Sequence, residues 1–158
     1  MKLLDFVLAD ALIPDLKSTQ RDEVITELVD AAVAAGGVPK TLRDELIKEI
    51  VGREKHGSTG FGKGVAVPHV KHEKIKKMVA AIGVSQKGVD FNALDKAPVY
   101  SVVLLISPKD KPDEHLQAME NIFSNLQKDN FRRFLRQSAT AEAIKDLLHE
   151  ADTQQLAG

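Results

Sequence analysis

Apolar positions along this chain follow two rhythms, helical in the first third and strand-like from the middle onward. Val24, Leu28 and Ala32 form one i, i+4 row, with Ile25, Val29 and Val33 in the row beside it; this predicts a helix with one buried face. Ser18 or Thr19 supplies the expected N-cap, Asp22 and Glu23 occupy the first turn, and Gly36-Gly37 ends the helix. A second helix is expected from about Thr41 to about Arg53–Lys55, with Leu42, Leu46, Ile47, Ile50 and Val51 inward and Arg43, Asp44, Glu45, Lys48 and Glu49 outward. So short a link predicts that the two pack antiparallel. Ahead of them, residues 3–16 read as a short helix or strand leading into a strand over Ala11–Leu16.

The strand-like rhythm begins at Val65-Ala66-Val67, which stops at Pro68-His69, and returns over Met78–Val84. Gly88-Val89-Asp90-Phe91 reads as a turn with a short extended piece. The longest β-branched run is Pro98–Ile106, apolar enough to be covered on both faces. After the polar, proline-bounded loop Ser107–Asp113, Asp113 is the expected N-cap of a helix that buries Leu116, Met119, Ile122, Phe123 and Leu126. Phe131, Phe134 and Leu135 mark a short helix, Thr140 opens a last one with Ile144, Leu147 and Leu148 inward, and residues 152–158 read as frayed. Extended runs between helical segments predict an α/β fold: one three-layer domain over residues 1–158, its core about 11–150, with a central mixed sheet flanked by helices on both faces.

Composition narrows the chemistry. An apolar fraction of 43% and a charged fraction of 28% are those of a globular chain of 158 residues. A net charge of −1 gives no general attraction to nucleic acid or acidic membranes. The absence of cysteine excludes disulfides, thiolate zinc sites and cysteine nucleophiles. No apolar run approaches the roughly 20 residues of a membrane span, and Asp5 and Asp10 interrupt the N-terminal apolar stretch, so the expected location is cytoplasmic.

The candidate chemistry lies between Arg53 and Lys71. Four glycines (Gly57, Gly60, Gly62 and Gly64) cross from the end of the second helix to the strand that delivers His69. Gly57–Lys63 matches a phosphate loop up to the lysine, but Gly64 stands where a magnesium-binding Ser or Thr belongs. The crossing also leaves a helix and enters a strand, the reverse of a phosphate loop, and the dinucleotide glycine pattern fails by one residue. Among five histidines, His149 reads as solvent-facing, and His56 and His72 as surface residues among lysines. His69 closes an apolar strand, and His115 falls in the first turn of a helix after the longest strand; function gathers at strand ends in such sheets. If those ends are neighbours, the two imidazoles face each other. A metal would need a third ligand, from Glu54, Asp110, Asp113 or Glu114, and no metal-binding spacing is present. Ser58 lacks a nucleophile elbow. Arg53, Ser58, Thr59 and the glycine amides form a donor set suited to a phosphoryl group.

These residues carry a resemblance. Arg53-Glu54, Ser58-Thr59-Gly60, Gly62-Lys63-Gly64 and Val65-Ala66-Val67-Pro68-His69 resemble, in order, the active-site region of type-2 EIIA domains of the bacterial sugar phosphotransferase system. That is the mannitol and fructose class, which includes nitrogen-regulatory EIIA proteins. Gly88-Val89-Asp90-Phe91 and Asp113-Glu114-His115-Leu116 continue it, so the resemblance runs from about residue 11 to 150. It implies that His69 is phosphorylated by an HPr-like phosphocarrier protein, that His115 hydrogen-bonds the phosphoryl group, and that Arg53 holds and neutralises it, with Ser58 and Thr59 as further phosphate-binding residues. The implied recipient is an EIIB domain, or a transporter or kinase regulated by contact. No cofactor or metal is called for. One position departs: the family commonly places a small residue after the histidine, and here it is Val70, which is expected to narrow access or change partner choice.

Overall fold

Two apolar layers lie on opposite faces of one six-stranded sheet. The computed structural model describes residues 1–153, so the expectation of a frayed tail falls mostly outside the described residues. In chain order the elements are β1 (Val7–Ile13), α1 (Arg21–Ala34), α2 (Arg43–His56), β2 (Gly60–Gly62), β3 (Val65–Ala66), β4 (His69–His72), β5 (Val79–Val89), β6 (Val99–Pro108), α3 (Pro112–Leu126), α4 (Asp129–Gln137) and α5 (Ala141–Asp152). The sheet order is β1-β5-β6-β3-β2, and β4 also pairs with β6. β5 and β6 are antiparallel, whereas β1 on β5, and β3 and β4 on β6, are parallel, which makes the sheet mixed.

Period-two alternation assigns the faces. Ala66, Val70, Val102, Leu104 and Ile106 pack under α1 and α2 with Val24, Ile25, Leu28, Leu46 and Ile50. Val65, Val67, Val103 and Leu105 pack on the other side with Ala118, Ile122, Leu126, Phe131, Leu135, Ile144 and Leu148 from α3, α4 and α5. β6 contributes to both layers and is buried along nearly its whole length, as its unbroken apolar run predicts.

Several boundaries differ from the sequence reading, each for a local reason. β1 starts at Val7, four residues before Ala11, and Leu16 lies beyond it, with its amide bonded to the Val84 carbonyl at 2.8 Å. The N-cap of α1 is Gln20 without a side-chain bond, because residues 18–20 stay extended: the Asp90 amide donates to the Thr19 carbonyl and Gln20 bridges Asp90. α3 begins at Pro112, whose ring presets the first helical φ, so Asp113 is a first-turn acid instead of the cap. Leu116 is 58% exposed, because the buried row of α3 runs through His115, Ala118, Ile122 and Leu126. Asp152 is held rather than frayed: its carboxylate accepts the amides of Leu3 and Leu4 at 2.6 and 3.0 Å.

The strand through Val65 does not stop at Pro68. Proline has no N–H to give, so the ladder with β6 breaks there, but the Pro68 carbonyl still accepts the Leu105 amide at 3.0 Å. Pairing then resumes with His69 opposite Leu105 and His72 opposite Pro108.

Candidate functional site

The site begins with that interruption. On resuming, β4 points His69 to the α3 side of the sheet and Val70 to the α1–α2 side, where Val70 packs in the core. The branched side chain expected to crowd the histidine lies on the opposite face, so its bulk does not narrow access to the ring. His69 remains half-buried, and its Nδ1 lies 2.9 Å from the Val67 carbonyl oxygen. A carbonyl only accepts, so Nδ1 carries the hydrogen, and in the neutral ring Nε2 keeps its lone pair.

His115 comes from the first turn of α3 and is buried. The imidazoles of His69 and His115 are 5.5 Å apart between centroids and tilted by 54°, so the two histidines singled out in the sequence do face each other. His115 Nδ1 is 2.7 Å from Ser107 Oγ, near the C-terminal end of β6. Burial, reinforced by His69 and Lys71, pushes the His115 imidazole from its ordinary 6.5 down to about 4, so it is neutral at pH 7. Ser107 is fully buried at the end of β6, not in the polar loop where the sequence reading put it. A lone serine after an apolar run is weak evidence by itself; its spacing of eight residues from His115 is the one signal that connects the two.

The glycine crossing leads from α2 through β2 and β3 to the strand that carries His69. Ser58 donates its hydroxyl to the Phe91 carbonyl at 3.1 Å and accepts the Gly60 amide at 2.9 Å. The Leu94 amide donates to the Gly60 carbonyl at 2.7 Å, which ties the crossing to the segment after β5. Gly60 leaves no space for a larger residue, since a Cβ there would lie 2.9 Å from that of Ala93. Gly64, at φ +74°, bends the chain so that its carbonyl receives the amides of both Tyr100 and Ser101. Glu54, 98% buried, takes the Thr59 amide at 3.0 Å and the Thr59 hydroxyl in a short bond. The hydroxyls of Ser58 and Thr59 are thus engaged in shaping the crossing. Arg53 is exposed at the end of α2 and donates through Nη1 to the Gly57 carbonyl at 2.8 Å.

Of the other histidines, His56 and His149 are exposed as expected. His72 is not. It is 95% buried, its Nε2 is 3.0 Å from Glu45 Oε2 on α2, and its Nδ1 accepts the Lys74 amide at 3.0 Å. Continuing the alternation past Pro68 puts His72 on the face of Val70, under α2, which the lysines around it concealed. Among the described residues no three His, Asp or Glu side chains gather into a cluster able to hold a metal ion. No described helix is long and apolar enough to cross a membrane.

The fold recurs in proteins of known structure. The nitrogen regulatory protein IIA-Ntr of Neisseria meningitidis superposes with a TM-score of 0.81 at 24% identity, over 91% of this chain and 97% of its own. The family described as "Phosphoenolpyruvate-dependent sugar phosphotransferase system, EIIA 2" matches residues 6–151, and the chain belongs to that family. A nitrogen regulatory protein of Bradyrhizobium diazoefficiens is 32% identical over 148 residues, covering 94% of this chain and 95% of that protein. A fructose-specific EIIABC component of Bacillus subtilis is 28% identical over 152 residues, covering 96% of this chain but 24% of that protein, so the chain spans about a quarter of that relative's length.

Proposed function

We propose that the protein is a cytoplasmic phosphocarrier domain that accepts a phosphoryl group on His69 from an HPr-like protein and passes it to an EIIB-type acceptor. The observation that carries this is the bond from His69 Nδ1 to the Val67 carbonyl, which leaves Nε2 as the nucleophilic atom of a half-buried ring. As the N–P bond of the donor's phosphohistidine breaks, its electron pair returns to the donor imidazole and a new N–P bond forms at His69 Nε2. Such transfers need position and charge stabilisation more than covalent chemistry. His115, neutral and held by Ser107, donates to the phosphoryl oxygens when Ser107 gives its hydroxyl hydrogen to Nδ1 and the remaining ring hydrogen sits on Nε2. Arg53 neutralises the phosphoryl charge by exchanging the Gly57 carbonyl for phosphate oxygens. Ser58 and Thr59 contribute to phosphate binding by fixing the crossing that borders the group. No cofactor enters this chemistry.

A regulatory reading is favoured by one observation: the nitrogen regulatory relative from Bradyrhizobium matches over 95% of its length. In that reading the phosphorylation state of His69 governs contact with a transporter or kinase. Incubation with phosphoenolpyruvate, EI and HPr should give an acid-labile mass gain of one phosphate that His69→Ala abolishes; no gain with cognate partners overturns the proposal. Delivery of that phosphate to an EIIB protein then separates transport from regulation.

A further inference from the structure

A groove of about 830 Å³ opens beside the N-terminal end of β6, remote from the two histidines. Tyr100 lines it, and Leu105, the partner of His69, lies five residues further along the same strand. At ~3.3 Å per residue the two places are roughly 16 Å apart. The groove walls carry four cationic side chains, Lys63 from the turn between β2 and β3 and Arg132, Arg133 and Arg136 from α4, against two carboxylates, Asp95 and Asp129. That is a local excess of two positive charges on a chain whose net charge is −1.

The four cations are not equivalent. Arg132 is paired with Asp129 and donates to the Leu126 carbonyl, and Arg133 donates to Asn130. Arg136 instead sits over the Tyr100 ring, its Cζ 3.5 Å from the ring centroid. Among the described residues neither Arg136 nor Lys63 has a carboxylate within ion-pair distance. An exposed helix face of arginines needs no explanation by itself. An arginine held on an aromatic platform inside a groove, with no hydrogen bond from its guanidinium to the other described residues, is arranged for a bidentate acceptor. The opposite wall is fixed as well, because the Gly64 carbonyl takes the Tyr100 and Ser101 amides and so anchors the turn from which Lys63 projects.

We propose that this groove is a second anion site, which binds a small phosphate-bearing metabolite. Arg136 grips the phosphoryl oxygens through its fork, and Lys63 and Arg133 supply the remaining positive charge. The site is separate from His69 and performs no phosphoryl transfer, so the proposal stands whether or not His69 is a phosphoryl acceptor. The test is a titration of the isotope-labelled full chain, followed by amide NMR, with inorganic phosphate, inorganic pyrophosphate and glucose 6-phosphate in separate series. The expected result is saturable binding with a Kd of about 1 mM or tighter for at least one probe. Shifts should centre on Lys63, Tyr100 and residues 132–137. Arg136→Ala, a change at an exposed position, should weaken that binding about tenfold or more, while His69→Ala leaves it unchanged. A preference for pyrophosphate assigns the site to diphosphates, and a preference for glucose 6-phosphate assigns it to phosphomonoesters. Any of three results overturns the proposal: no saturation by about 10 mM of any probe, shifts centred on His69 and His115, or equal affinity in Arg136→Ala. Saturation by an acidic peptide but by none of the phosphates also overturns it, by assigning the groove to a protein partner.

Discussion

The Nδ1 atom of His69 is tied to the carbonyl oxygen of Val67, two residues earlier, at 2.9 Å. Phosphorylation at Nδ1 would break that bond and turn the ring, whereas phosphorylation at Nε2 leaves it in place. The phosphorylated protein should therefore carry its phosphate on Nε2, as read from the nitrogen chemical shifts and phosphorus couplings of the ring. A spectrum assigned to the Nδ1 isomer would show that the Val67 bond does not orient the nucleophile.

In the proposed function His115 steadies the phosphoryl group and does not receive it. His115→Ala should leave acceptance by His69 possible and slow onward transfer by on the order of 10²-fold, the usual cost of removing one preorganised donor. Ser107→Ala frees the His115 tautomer while keeping the ring, and a smaller loss of about tenfold is expected. Rapid-quench measurement of each half-reaction decides it. Full retention of both half-reactions in His115→Ala would remove the assigned role.

The lowered pKa of His115 makes stability depend on pH in a known direction. Its folded value of about 4 lies below the ordinary 6.5, so between those values the unfolded chain binds a proton that the folded chain refuses. Stability from this group is intact above about pH 6.5, declines as pH falls toward about 4, and changes no further below that. The loss should be of order 1–2 kcal/mol, trimmed from the full shift because the ring keeps some contact with water. Denaturant melts of wild type and His115→Asn across this window should differ in slope. Parallel curves would mean that His115 titrates normally.

Much of this arrangement was legible in the sequence, and the parts that were not share a physical cause. The row of Val24, Leu28 and Ala32 repeats at a period only a helix satisfies, and β6 is apolar over too long a run to be anything but a covered strand. Facing is harder to read where a polar residue occupies a buried position. On α3 the inward row starts at His115, so apolarity alone shifted the stripe to Leu116, which points to solvent. The lysines around His72 read as surface although its strand turns it inward, and Ser107 reads as loop because it lies at a strand end, where a sequence does not reveal that pairing continues. The hydroxyls of Ser58 and Thr59 suit a phosphate by type, yet in the fold the Phe91 carbonyl and the Glu54 carboxylate, distant or unmarked in sequence, already engage them.

That engagement can be tested at Thr59. Its amide and hydroxyl both donate to the buried Glu54 carboxylate, and Thr59→Val removes the hydroxyl while keeping the shape. Leaving a buried carboxylate oxygen short of a donor should cost about 1–3 kcal/mol. At this size that lowers Tm by roughly 2–4 °C per kcal/mol. Thr59→Ser restores the donor and should recover most of the loss. Loss of phosphoryl acceptance in Thr59→Val with Tm unchanged would instead mark the hydroxyl as a direct phosphate ligand.

Val70 gives the sharpest contrast between adjacent residues. It neighbours His69 in sequence, yet the strand turns its side chain to the opposite face, among the residues that α1 and α2 cover. A glycine there removes a buried branched side chain and loosens the strand backbone, so Val70→Gly should destabilise the protein by about 2–4 kcal/mol. Access to His69 lies on the other face, and the rate of phosphoryl acceptance per folded molecule should stay within about twofold, since near-neutral changes lie within a few tenths of a kcal/mol. Measuring the melting transition and the acceptance rate on the same preparation separates the two effects. A large gain in rate with little loss of stability would mean that the valine obstructs the phosphoryl donor after all. The expected pair, a large stability loss with an unchanged rate, would show that its role at this site is to hold β4 against the helices so that His69 is presented on the other side.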